Sequence, residues 1–111
     1  MIKAVIKEKN GGIWSYEISG HAESGEYGHD VVCAAVSVLG ITTANNLYKM
    51  AKIRPLAEME PGHLKVEIPI TLSKKQLENS QFLLKAFENA LEEVVAEYSQ
   101  YIELTHERSN G

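Results

Sequence analysis

The apolar positions at the start of the chain recur with period two. Ile2, Ala4 and Ile6 alternate with Lys3, Val5 and Lys7. Such a pattern places one apolar face on a β-strand, here over residues 2 to 8. Asn10-Gly11-Gly12 follows, a turn signal with easy access to positive φ. Residues 13 to 19 resume the alternation, with Trp14, Tyr16 and Ile18 set against Ser15, Glu17 and Ser19. A half-buried second strand completes a predicted hairpin.

The period then changes. Residues 20 to 29 hold three glycines and few apolar groups, the composition of a loop. Asp30 is a favoured N-cap residue. From Val31 to about Ala51 the pattern is helical and apolar on most sides, through Val32, Ala35, Val36, Leu39 and Leu47. Gly40 weakens the middle of that helix by about 1 kcal/mol relative to alanine. A helix this apolar is buried between layers or packed on a partner.

Residues 55 to 60 predict a strand opened by Pro55, and Pro61-Gly62 a turn. Leu64, Val66, Ile68 and Ile70 form the apolar face of a returning arm. Ser73-Lys74-Lys75-Gln76 is a capping box. It opens a long amphipathic helix with Leu77, Leu84, Phe87, Leu91, Val94, Val95 and Tyr98 on one stripe. Residues 100 to 105 predict a short last strand, and residues after Glu107 a frayed end. The order ββαββα(β) implies an α+β layer fold: a mostly antiparallel sheet packed with two long helices, one domain over residues 1–111.

Charge and composition narrow the function. The net charge of -4 and the scattered Lys and Arg residues argue against a nucleic-acid surface. The first residues form no signal-peptide core, and no apolar run reaches the ~20 residues of a membrane span, so a cytoplasmic protein is expected. Cys33 is the only cysteine, which excludes an internal disulfide and suits a reducing compartment.

Position makes that cysteine interesting. With Asp30 as N-cap, Cys33 falls at N3, where free backbone amides and the helix dipole favour thiolate. Composition alone favours a small buried hydrophobe; a helix start beside a polar loop favours chemistry. His21, at a strand end, is the better candidate base. His29 precedes the cap and is expected to point to solvent. His63, in a hairpin turn, and His106, near the tail, read as surface residues. Asp30 serves as cap or as orienter of His21. Ser37, four residues after Cys33, shares its helix face and bonds near the thiol or, as is more common, back to the Cys33 carbonyl. His21, His29, Asp30 and Cys33 could together bind a metal, but no CxxC or HxxxH spacing occurs, so no metal and no cofactor is expected.

Gly20-His21-Ala22, then Gly28, then Asp30-Val31-Val32-Cys33-Ala34-Ala35-Val36-Ser37 resembles the signature of the ribosomal-processing cysteine protease family, Prp. The opening hairpin, the Pro61-Gly62 turn and the C-terminal helix extend the resemblance over nearly the whole chain. It implies a bacterial cytoplasmic endopeptidase that removes the N-terminal extension of large-subunit ribosomal protein twenty-seven, cleaving after an aromatic pair. It implies Cys33 as nucleophile and His21 as base, with Asp30 and Ser37 in support. It further implies a homodimer and a substrate loop of Ala22, Glu23, Ser24, Gly25, Glu26, Tyr27, Gly28 and His29. Glu23-Ser24-Gly25 and Gly40-Ile41-Thr42-Thr43 depart from the family pattern.

The apolar first helix predicts a homodimer apart from the resemblance. Two other functions remain open on the residues: a non-catalytic module that binds a ribosomal protein, and a thiol redox sensor that would need an intermolecular disulfide.

Overall fold

A computed structural model describes residues 1–20 and 27–109. Five strands form one sheet in the order β3-β4-β2-β1-β5. β1 (Ile2–Lys9) and β2 (Gly12–Ser19) make the first hairpin, and β3 (Leu56–Glu60) and β4 (His63–Glu67) the second. β2 joins them by pairing antiparallel with β4. β5 (Ile102–Ser109) runs parallel to β1 on the other side. α1 (Tyr27–Ala51) and α2 (Lys74–Glu97) pack against each other and against the sheet. The expected α+β fold is the observed one, with one parallel pair in an otherwise antiparallel sheet.

The alternation in β1 does what its period requires. Ile2, Ala4 and Ile6 are buried, and Lys3 between them is exposed. At the turn, Asn10 (φ 54°) and Gly11 (φ 82°) both take positive φ, as a tight two-residue hairpin demands. A register shift between Lys7 and Glu8 breaks the β1–β2 ladder opposite this end of β2. There the Gln81 side chain stands in for a strand. Its Oε1 accepts from the Ile13 amide (2.7 Å) and its Nε2 donates to the Ile13 carbonyl (2.9 Å). Both backbone groups are thereby paired, and α2 is tied to the hairpin.

Gly40 explains the glycine in the middle of α1. A Cβ on it would lie 2.6 Å from Leu64 Cδ2 and 3.1 Å from Ile18 Cδ1. The helix thus rests on β2 and β4 at a point with no room for a side chain. The Tyr16 hydroxyl donates to the Gly40 carbonyl at 2.7 Å, and its ring meets Phe87 of α2 at 4.2 Å between centroids. Burial pushes the Tyr16 phenol well above its ordinary range, outweighing a backbone hydrogen bond at Ala44 that acts the other way. The group stays a neutral donor that fixes sheet, α1 and α2 at one place.

The capping box at the start of α2 forms as expected. Ser73 Oγ accepts from the Gln76 amide (3.1 Å), and the Gln76 side chain accepts from the Ser73 amide (2.9 Å). Gln76 Nε2 also donates to the Lys52 carbonyl at 2.7 Å. Lys52 is in the left-handed region (φ 58°) that closes α1.

Four expectations are corrected. α1 begins at Tyr27, not after Asp30. β4 ends at Glu67: Ile68 is buried, but Ile70 is 84 % exposed, because Pro69 has no amide with which to continue the ladder. Leu77 lies outside the buried stripe of α2. β5 runs on to Ser109, held by its pairing with β1, so Arg108 and Ser109, expected in a frayed end, are strand. α1 is also long and apolar enough by composition to pass for a membrane span, which counting apolar runs missed. Its inner face, however, carries Val32, Val36 and Leu47 into the core shared with the sheet.

Two effects oppose each other at Gly40. Alanine would favour the helix by about 1 kcal/mol, while forcing a methyl into this contact costs about 1–3 kcal/mol. Leu64 and Ile18 are both buried and have little room to yield. Gly40→Ala should therefore lower the urea midpoint of unfolding, whereas helix propensity alone would raise it.

Candidate active site

The site is assembled where three chain segments meet at one end of the sheet. β2 ends at Ser19 and is followed by Gly20, whose φ of +81° suits glycine. A Cβ there would lie 2.9 Å from the Met1 carbonyl oxygen. The Gly20 amide donates to the Gly62 carbonyl in the β3–β4 turn (2.9 Å), and the Ile2 amide to the Tyr101 carbonyl (2.8 Å). The residue before His21 is thus held between the chain start and the second hairpin. His21 itself, with Ala22, Glu23, Ser24, Gly25 and Glu26, lies outside the described residues, as does the proposed pairing of Asp30 with His21.

Tyr27, Gly28 and His29, expected in the loop, form the first turn of α1. Gly28 lies against a side chain there. A Cβ on it would fall 2.5 Å from Tyr101 Cε2 and Cζ and 2.6 Å from the hydroxyl oxygen. The Tyr101 ring occupies the side-chain space of residue 28 and ties the start of β5 to the start of α1. Sequence reading missed Tyr101; the glycine inside a helix was the available signal.

The earlier helix start changes the account of the thiol. Asp30 is no N-cap; it lies in the first turn, with its side chain 58 % exposed. Cys33 is the seventh residue of α1, counting from Tyr27, and lies beyond the free amides of the first turn. The helix dipole falls off over that distance. Cys33 is half-buried. Burial pushes its thiol up, the Asp30 charge pushes the same way, and a hydrogen bond with Ser37 partly offsets them. The expected lowering by the helix start is therefore reversed among the described residues. Of the two fates open to Ser37, a bond to the thiol or a bond back to the Cys33 carbonyl, the first is the one that acts on the Cys33 pKa.

His29 also departs from expectation. Its side chain is 11 % exposed, not turned to solvent. Nδ1 lies 3.8 Å from Asp30 Oδ1, beyond hydrogen-bond range, and among the described residues it is buried without a hydrogen-bond partner. The other two histidines have defined partners. His63 Nε2 donates to Glu17 on the second hairpin's side of the sheet, and that bond, more than burial opposes it, holds the Glu17 carboxyl below its ordinary range. His106 Nε2 donates to Glu88 at 2.8 Å.

Glu88 belongs to a separate cluster toward the opposite end of β1. Among the described residues, Glu8, Glu88 and His106 bring ligand-type atoms within 4.8 Å of one another. Both Glu88 oxygens are already engaged, one by Lys85 (2.9 Å) and one by His106. Arg108 Nε lies 3.3 Å from Glu8. Burial alone would raise the Glu88 carboxyl, but the hydrogen bonds and charges of Lys85 and His106 outweigh it and the net shift is downward. The cluster is an ion-pair network that joins α2 to β5.

Thiol reactivity separates the neighbours of Cys33. Removing the Asp30 charge lowers the thiol's pKa, so Asp30→Asn should alkylate several-fold faster with iodoacetamide near neutral pH. Removing the Ser37 hydrogen bond raises it, so Ser37→Ala should alkylate more slowly. In each variant the pH–rate curve should shift in the matching direction: to lower pH for Asp30→Asn, to higher pH for Ser37→Ala. Curves that coincide with that of the unmodified protein would contradict this account.

Comparison with known proteins agrees with this frame. The model of the cysteine protease Prp family matches residues 1–103. The ribosomal processing cysteine protease Prp of Bacillus subtilis is 30 % identical over 108 residues, covering 95 % of this chain and 96 % of that protein. A Streptococcus mutans crystal structure superposes with a TM-score of 0.89 at 30 % identity, covering 98 % of this chain and 96 % of the other. The essential ribosomal processing protease Prp of Staphylococcus aureus, in complex with a substrate peptide, gives 0.86 at 25 % identity, covering 96 % of this chain and all of that one. The family match and the shared fold both run over nearly the full chain, and the protein belongs to the cysteine protease Prp family.

Proposed function

We propose that this protein is the endopeptidase that removes the N-terminal extension of bacterial large-subunit ribosomal protein twenty-seven, cutting after a pair of aromatic residues. The observation that carries the reading is arithmetic. The family is one of cysteine proteases, and this chain has one cysteine, at the position the signature assigns to the nucleophile. The Staphylococcus aureus enzyme has also been captured with a covalently linked product peptide, at 26 % identity and a TM-score of 0.80 to this chain. That capture supports covalent catalysis over a binding module or a redox sensor.

In this reading Cys33 attacks the scissile carbonyl and forms a thioester. His21 takes the thiol proton and passes it to the leaving amine. Water then attacks the thioester, returning the thiol and releasing the N-terminal fragment. Burial and Asp30 both oppose thiolate, so the site needs a cation, and a protonated His21 supplies one. Ser37 holds the sulfur from one turn further along α1. The reaction takes place in the cytoplasm, where a lone thiol stays reduced.

The working unit is a homodimer. No charged residue occurs between Val31 and Tyr48. The outer face of α1 carries Val31, Val38, Ile41 and Tyr48, all exposed, with Val38 at 63 %. These positions repeat at intervals of three and seven, the spacing of a helix-packing seam. A second copy of the same face would cover it.

Two measurements check these statements. A synthetic peptide spanning the aromatic pair should be cleaved by the unmodified protein and left intact by Cys33→Ala. His21→Ala should lose about two orders of magnitude or more in rate while keeping its circular dichroism; cleavage that survives either change would contradict the assignment. Light scattering at micromolar concentration should give twice the chain mass, and Val38→Glu should give the monomer.

A further inference from the structure

His29 is the polar group that this account leaves without a task. Its ring is about nine-tenths buried, and its Nδ1 has no hydrogen-bond partner among the described residues. An unpaired buried nitrogen costs about 1–3 kcal/mol and is rare in folded proteins. An apolar side chain of similar size would remove that cost.

Its place on the helix suggests why the ring is kept. His29, Cys33 and Ser37 follow one another at intervals of four, so they share one face of α1. Side chains on a helix lean toward its N-terminus, which brings the space beside the Cys33 thiol against His29 rather than away from it. Ser37 is engaged with the sulfur, whereas among the described residues the His29 Nδ1 has the Asp30 carboxylate 3.8 Å away, too far for a hydrogen bond, and no hydrogen-bond partner. A peptide whose carbonyl lies in attack range of the sulfur extends about 3.3–3.6 Å per residue along its backbone. Residues one turn apart on a helix face are about 5–6 Å apart at Cβ. The imidazole is therefore within reach of the peptide unit one or two residues from the scissile bond.

We propose that His29 is a positioning residue for the protease reaction, whose Nδ1 hydrogen-bonds a backbone group of the bound peptide next to the scissile bond. The torsion about its Cβ–Cγ bond is soft, so the ring can turn to present that nitrogen as the peptide arrives. The free protein holds an unsatisfied group, and the peptide satisfies it. Binding energy is gained at the reacting centre rather than at a remote subsite. The proposal rests on the peptide substrate of the preceding section.

The test uses His29→Leu and His29→Gln with the peptide spanning the aromatic pair. His29→Leu removes the unpaired nitrogen while filling its space, so thermal stability should rise. KM should rise about fivefold, the equivalent of one ordinary hydrogen bond, while kcat and the iodoacetamide rate of Cys33 stay within about twofold. His29→Gln, which keeps a polar side chain, should recover much of the KM. A KM unchanged in His29→Leu would overturn the proposal. So would an iodoacetamide rate that falls in step with catalysis, because the ring would then act on the thiol and not on the peptide. If His29→Leu fails to fold, a His29→Gln protein with the KM of a lost hydrogen bond and no recovery overturns it as well. Failure of the unmodified protein to cut the peptide shows before any variant is compared; it would overturn the substrate reading and this proposal with it.

Discussion

The site depends on where α1 is seated. The helix carries the thiol, and the contact of Gly40 with Leu64 and Ile18 sets how closely it lies on β2 and β4. The Tyr16 hydroxyl donates to the Gly40 carbonyl and fixes the helix at the same place. At the other end, Tyr101 fills the side-chain space of Gly28 and ties the first turn to β5. Two glycines inside one helix, each unfavourable for helix formation, are thus the points at which the sheet holds the helix. Cys33 lies between them, and neither contact leaves α1 free to slide along its axis without a clash.

This placement has an electrostatic consequence. Cys33 sits far enough into α1 to lose the help of the helix start, is half-buried, and has Asp30 one turn before it. Burial and the Asp30 charge both oppose loss of the thiol proton. In the proposed mechanism a protonated His21 supplies the cation that offsets them. On that proposal, reactivity depends on the arrangement of two segments, the chain that follows β2 and the helix carrying Cys33, rather than on the cysteine's own surroundings. A lone thiol gains protection from oxidation in this way, because the thiolate is the form that oxidants attack.

Much of this was legible in the sequence because it is local. The period-two runs of β1 and β2, the positive-φ turn at Asn10-Gly11 and the Ser73–Gln76 capping box each depend on neighbouring residues. Elements set by distant partners were not legible. β5 reaches Ser109 because β1 pairs with it, and Pro69 ends β4 despite the apolar pattern that runs on to Ile70. The start of α1 was misplaced because Asp30 is as good in a first turn as at a cap, while Gly28 argues against helix until Tyr101 is seen against it. The site signature was readable as a pattern of residues. The burial of His29 and the raised thiol came only with the fold, because both depend on packing around the first turn.

The central claim is that Cys33 forms a covalent acyl intermediate with the peptide it cuts. Intact-mass and tandem mass spectrometry of an acid-quenched reaction with the aromatic-pair peptide tests it directly. The account predicts an adduct whose mass is that of the N-terminal fragment less one water, mapped to Cys33. Cleavage with no adduct in the pre-steady-state phase, or an adduct mapped to another residue, would contradict it.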